Sequence, residues 1–95
     1  MIKEPVPGFP GYFAYRDGNI LGKRGWLLSQ TPGYYGYIMV SLMKDGKMHV
    51  LLTHRVLAAT FLGLNIEDTN TQVNHKDGNK LNNCIDNLEL CTHSE

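Results

Sequence analysis

The chain has 95 residues, 42% of them apolar, with nine Lys/Arg balanced by nine Asp/Glu. That length holds one small domain, near the size where a single core becomes marginal, and the composition excludes a disordered chain. No apolar run nears the roughly 20 residues of a membrane helix, and the opening Met1-Ile2-Lys3-Glu4-Pro5 has no signal-peptide core, so we expect no membrane partner and a cytoplasmic protein.

Zero net charge argues weakly against a nucleic-acid binder, but the charge is unevenly placed. Residues 1 to 55 carry seven Lys/Arg and three acids, and residues 56 to 95 carry two and six. One reading is a basic front for phosphate and an acidic rear for a cation; the other is solvated surface with chance asymmetry. Cys84 and Cys91 are too close in sequence to close a long loop and form no Cys-x-x-Cys pair, so they read as reduced thiols or minor core residues.

In chain order, Tyr12 to Tyr15 and Asn19 to Leu21 flank Arg16-Asp17-Gly18, a hairpin turn because Asp-Gly tolerates positive φ. Trp26 to Leu28 reads as a short strand and Thr31-Pro32-Gly33 as a loop. Tyr37 to Met43 and Met48 to Leu52 then flank Lys44-Asp45-Gly46-Lys47. A two-residue turn there sets Met43 opposite Met48 and Val40 opposite Leu51, with Ile38, Val40 and Leu42 on one face. Thr53 is a candidate N-cap for a helix from about His54 to Leu62, whose Val56, Leu57, Thr60, Phe61 and Leu64 form a packing stripe, and Gly63 suits its end. Residues 65 to 72 read as a polar linker, Thr71 to Asn74 as a strand, and Asn87 to Thr92 as another.

Between those last strands stands Asn74-His75-Lys76-Asp77-Gly78-Asn79-Lys80, with Asn82-Asn83 beyond it. Phosphodiester cleavage needs a base to take a proton from water and positive charge on the phosphate. His75 has a suitable unperturbed pKa, and the carbonyl of Asn74 is of the kind that ligates a hard cation. Neighbours on a strand point to opposite faces, so a bend at the strand end is required for both to serve one phosphate. Asp77-Gly78-Asn79 supplies turn chemistry there, and Asn87 is placed to hydrogen-bond the loop backbone. Taken singly, each residue is more often an ordinary surface histidine, turn former or strand-edge residue; the spacing of the set shifts that balance.

His54-Arg55-Val56-Leu57-Ala58-Ala59-Thr60-Phe61, the Val73 to Lys80 block, Asn82-Asn83 and Asn87-Leu88-Glu89-Leu90 together resemble the HNH homing endonucleases of phages and mobile introns. Gly8-Phe9-Pro10-Gly11-Tyr12 and Gly36-Tyr37 resemble the N-terminal DNA-binding module of that group. The resemblance implies that His75 is the general base, Asn74 the metal position and Asn87 the structural middle Asn of the motif. It implies a divalent cofactor, Mg²⁺ or Mn²⁺, double-stranded DNA as partner, and a bacterial or phage-infected cell as setting. The third position of the motif should follow Thr92-His93-Ser94-Glu95, where Ser94 reads as the N-cap of a closing helix, and it has no counterpart in this sequence. A fragment of a longer nuclease, or a decayed or repurposed copy, is therefore expected, with full activity needing further residues or a partner chain.

The expected architecture is α+β: a small antiparallel sheet with one packed helix over residues 1–64, followed over residues 71–95 by an incomplete ββα-metal unit. The expected function is a metal-dependent HNH endonuclease cleaving DNA, with Arg16, Lys23, Arg24, Lys44 and Lys47 as phosphate contacts. A non-catalytic DNA-binding module is the alternative. A structural or interaction domain using Tyr34, Tyr35 and Tyr37 as an aromatic patch is the third. The uncovered face of the last hairpin makes a homodimer an expectation as well. A zinc site from His75, Cys84, Cys91 and His93 lacks a familiar ligand spacing, and a calcium loop starting at Asp77 is broken by Gly78 and Leu81.

Overall fold

A computed structural model describes residues 3–65, 68 and 70–92. His93 and Ser94, on which the closing-helix reading rests, lie outside the described residues. The elements are β1 (Lys3–Pro5), β2 (Phe13–Tyr15), β3 (Ile20–Leu21), β4 (Thr31–Pro32), β5 (Ile38–Lys44), β6 (Lys47–Leu52), α1 (Thr53–Phe61), β7 (Thr71–His75) and β8 (Leu88–Thr92), with short 3-10 turns at Tyr34–Gly36 and Ile85–Asn87. They form three antiparallel sheets, β1-β2-β3, β4-β5-β6 and the two-stranded β7-β8. The α+β class is as expected, and the sheet is divided.

The β5–β6 hairpin has the expected register, Val40 facing Leu51 and Met43 facing Met48. Its turn works because Asp45 and Gly46 both adopt positive φ, 53° and 76°, the twist that matches a two-residue connection. Val40 and Leu42 are buried from this sheet and face the helix side. The β2–β3 turn also forms about Arg16-Asp17-Gly18, closed by Tyr15 and Asn19 backbone bonding at 2.9 Å.

Three local readings are corrected. Trp26–Leu28 makes only an isolated bridge, Leu27 to Leu21 of β3, flanked by Gly22 N–H on the Trp26 carbonyl at 2.9 Å and Leu28 N–H on the Ile20 carbonyl at 2.8 Å, and Trp26 and Leu27 stay exposed. Thr31–Pro32 is a short edge strand on β5; proline is tolerated there because the edge asks for few N–H donors. Thr53 does not cap α1. Leu52 is the N-cap, and the Thr53 hydroxyl is fully buried without a partner among the described residues, drawn inside by the helix's packing rather than turned to its end.

The α1 helix is the hub of the molecule: it touches β1 and β2, β5 and β6, and β7 and β8. Val56, Leu57 and Ala58 are wholly buried against Ala14, Ile20, Leu42, Val73, Ile85 and Leu88 in one core. Truncating Leu57 to Ala is expected to cost about 2–5 kcal/mol. The helix ends at Leu62, and the N–H of Leu64, beyond Gly63, returns to the Ala58 carbonyl at 3.3 Å.

The stretch read as a linker fastens the next strand. Asp68 accepts from Thr71 N–H at 3.1 Å, from Asn70 N–H at 2.7 Å and from the Thr71 hydroxyl at 2.8 Å, and these bonds, the Thr71 amide first, hold its carboxyl below the usual range. Arg55 reaches from α1 to the carbonyls of Thr71, at 2.9 Å, and Asp68. The β7 strand is thereby tied to the helix at its start.

Candidate active site

The β7–β8 hairpin pairs Val73 with Leu90, Asn74 with Glu89 and His75 with Leu88. Alternation places Val73 and His75 inward and Asn74 outward. Asn74 donates through Nδ2 to the Glu89 carboxylate at 2.9 Å, across the strand pair on the exposed face. Asn74 and His75 are thus adjacent in the chain and divided between two faces of the hairpin.

The loop from Lys76 to Asn87 is organised by side chains. A turn closes with Gly78 N–H on the His75 carbonyl at 2.9 Å. Asp77 accepts from Asn79 N–H at 2.7 Å, from Asn87 Nδ2 at 2.9 Å and from Asn82 Nδ2 at 3.0 Å. Those donors, the Asn79 amide first, keep the Asp77 carboxyl below the usual carboxylate range. Asn87 also accepts from Asp77 N–H at 3.1 Å and donates to the Asn82 carbonyl at 3.0 Å. Its own carbonyl takes Lys76 N–H at 2.8 Å, so this one residue holds both ends of the loop.

His75 sits at the loop's base and is buried. Its Nε2 lies 2.8 Å from Oδ1 of Asn83, which is buried too. Its ring is 4.9 Å from that of His54 and 6.0 Å from that of Tyr37, and Tyr37 stacks on His54 at 4.9 Å. Burial pushes His54 down to about 4, helped by the neighbouring His75 and Arg55, so its ring is neutral near neutral pH. The Nδ1 atom of His54 is buried without a partner among the described residues. Lys80 closes the group from outside, 4.7 Å above the Tyr37 ring and bonded at 2.7 Å to the carbonyl of Tyr35. Tyr35 has a left-handed φ of 57° and is exposed, whereas Tyr37 is packed on the histidines, so the two do not form one outward aromatic patch.

In the sequence reading His54 and Asn83 have no role beyond a motif or a turn, and Tyr37 has a further one only in an aromatic patch. A signal exists for His54: it stands three and four residues before Leu57 and Ala58, on the buried stripe of the helix. Asn83 carries none, because one more Asn in an Asn-rich loop has nothing to mark it.

Of the basic residues, Lys23, Arg24 and Lys44 line two adjoining depressions that share Lys23 and Met43, and Lys47 faces Lys44 across the hairpin end. Arg16 lies elsewhere, beside the site loop: it meets Asp86 at 3.3 Å, its guanidinium lies over Phe61, and its carbonyl takes Ile85 N–H at 2.7 Å. Both partners of that ion pair are exposed, so it contributes little to stability. Cys84 and Cys91 are free thiols. Among the described residues no three His, Cys, Asp or Glu converge as a metal site. Asn74 and Glu89 supply one amide and one carboxylate on the face opposite His75, and these alone do not fit a divalent ion beside the base.

Comparison with known proteins now bears on this geometry. Residues 51–95 match the HNH endonuclease family, a span that contains α1 and the whole β7–β8 hairpin. The chain is 34% identical over 91 residues to the H-N-H endonuclease F-TflII of Escherichia phage T5, which covers 95% of this chain and 47% of that protein. This chain resembles the HNH endonucleases in sequence. It is also 35% identical over 85 residues to an uncharacterised HNH endonuclease of Acanthamoeba polyphaga mimivirus, covering 87% of this chain and 21% of that one. In three dimensions it matches a structure of the HNH homing endonuclease I-HmuI, described as DNA binding and cleavage by that enzyme, with a TM-score of 0.85 and 31% identity over 99% of this chain and 54% of the other. The chain thus spans about half the length of the phage relatives it matches. No helix among the described residues is long and apolar enough to cross a membrane.

Proposed function

We propose that this chain contributes DNA binding and the catalytic base to an HNH endonuclease. The observation that carries the reading is His75 at the end of β7, buried at the base of a loop that Asn87 holds at both ends. In the proposed reaction the unprotonated imidazole takes a proton from water, the hydroxide attacks phosphorus, and the bond to the sugar oxygen breaks, the leaving alkoxide taking a proton from solvent. Asn87 acts by keeping the loop closed, while Asn74, on the opposite face of the hairpin, would need further donors to hold a cation. The described residues do not complete a cation site. Residues 1–64 are assigned to the DNA: Lys23, Arg24, Lys44 and Lys47 would meet phosphates along one edge, with Arg16 nearer the site loop.

Conversion of supercoiled plasmid to nicked or linear DNA tests this, with Mg²⁺, with Mn²⁺ and with chelator. Cleavage that needs metal and falls about 10²–10⁴-fold in His75→Ala is expected. Equal cleavage by the variant removes His75 from the role. A second reading, DNA binding without cleavage, is favoured by the sparse donor set around Asn74. Salt-dependent duplex binding by a folded chain that never nicks plasmid is its signature.

A further inference from the structure

A histidine acts as a base only through the nitrogen that lacks a proton, so a site of this kind must settle which nitrogen that is. In this chain one contact addresses the choice. Nε2 of His75 is 2.8 Å from the side-chain oxygen of Asn83, and both residues are buried. A carbonyl oxygen only accepts, so that contact requires the proton to be on Nε2. The lone pair is then on Nδ1.

The placement of Asn83 is itself over-determined. The next residues, Cys84 and Ile85, are fixed by bonds from Cys84 N–H to Asn82 Oδ1 at 3.3 Å and from Ile85 N–H to the Arg16 carbonyl at 2.7 Å. Behind Asn83, Gly18 packs so close that a Cβ there would stand 3.1 Å from the Asn83 carbonyl oxygen, at a φ of +100° that L side chains rarely adopt. On the other side, Tyr37 and His54 limit the tilt of the His75 ring. The first hairpin turn, the helix and the loop thus converge on one imidazole.

We propose that Asn83 is a positioning residue that holds His75 in the Nε2-protonated tautomer, leaving Nδ1 as the basic nitrogen. This rests on His75 being the base, but its test does not use cleavage. The probe is the pair of imidazole ¹⁵N signals of His75 in the full chain, read above the histidine titration range. The native chain is expected to show a protonated Nε2 and a lone pair on Nδ1. Asn83→Asp keeps an acceptor oxygen of the same shape and is expected to preserve that pattern. Asn83→Leu keeps the volume without an acceptor, and its two signals should move toward the averaged positions of exchanging tautomers. A proton on Nδ1 in the native chain overturns the proposal, as does an unchanged pattern in a folded Asn83→Leu. Failure of plasmid cleavage with the Nε2-protonated pattern intact would instead count against the proposed function alone.

Discussion

The molecule contains two long hairpins that solve the same problem differently. The β5–β6 hairpin turns on Asp45 and Gly46, whose backbone conformations suffice, and at its tip Lys44, which lies over the Phe9 ring, and Lys47 are exposed. The β7–β8 hairpin closes through a loop from Lys76 to Asn87 whose shape comes from Asp77, Asn79, Asn82 and Asn87 bonding to one another and to the backbone. Their histidines differ accordingly: His49 on β6 is exposed and meets the edge of Phe9, while His75 is buried among His54, Tyr37 and Asn83. A short turn presents side chains to a partner, whereas a long polar loop builds an enclosed place for one.

The sharpest way to break the contrast is Asn87→Ala. It removes three side-chain hydrogen bonds, and at about 1 kcal/mol each a loss near 2–3 kcal/mol is expected in urea unfolding. Hydrogen exchange should quicken at Lys76 and Asp77 and stay slow along β5; uniform quickening of both hairpins would erase the distinction.

Acid should act next, through His54. Its folded pKa of about 4 lies below the unfolded 6.5, so the unfolded chain binds the proton first. Stability is full above 6.5, falls as pH drops toward 4 at up to about 1.4 kcal/mol per unit, and levels below that. His54→Phe should flatten this slope, and an unaltered slope would point to another group. Asp77 and Asp68, both held below 3.8, keep their contribution through that window and lose it only as pH falls further, through their lowered values.

At the other hairpin, Gly46→Ala places a Cβ at a φ of 76° and is expected to cost about 1 kcal/mol without altering the exchange of the Lys76–Asn87 loop. Smallest in stability is Lys44→Glu with Lys47→Glu, within about 0.5 kcal/mol because both are exposed. Its effect belongs to binding: the salt slope for duplex DNA should fall by roughly 1 for each phosphate that is no longer neutralised. An unchanged slope would free this tip from the DNA.

Much of the fold was legible because periodicity and turn chemistry are local. Asp45-Gly46 set the β5–β6 register, and the stripe of Val56, Leu57 and Phe61 announced the helix. The HNH block was legible as well, since His75, the Asn-rich turn and Asn87 recur at a recognisable spacing within one stretch of chain. Errors fell where local preference met packing. Thr53 is a good cap by chemistry, yet the core draws its hydroxyl inward; Trp26–Leu28 has strand composition, yet it meets β3 through a single bridge.

What the sequence determined by itself is therefore the kind of elements, their turns and the family they resemble. The surroundings of His75 were decided only in three dimensions. Tyr37 comes from the segment before β5, His54 from the helix and Asn83 from the late loop, with Gly18 of the first turn behind it. Contacts between residues so far apart in the chain have no periodic signature. They arise because a single helix must bury its faces against three sheets at once, and that packing carries each side chain to the same place.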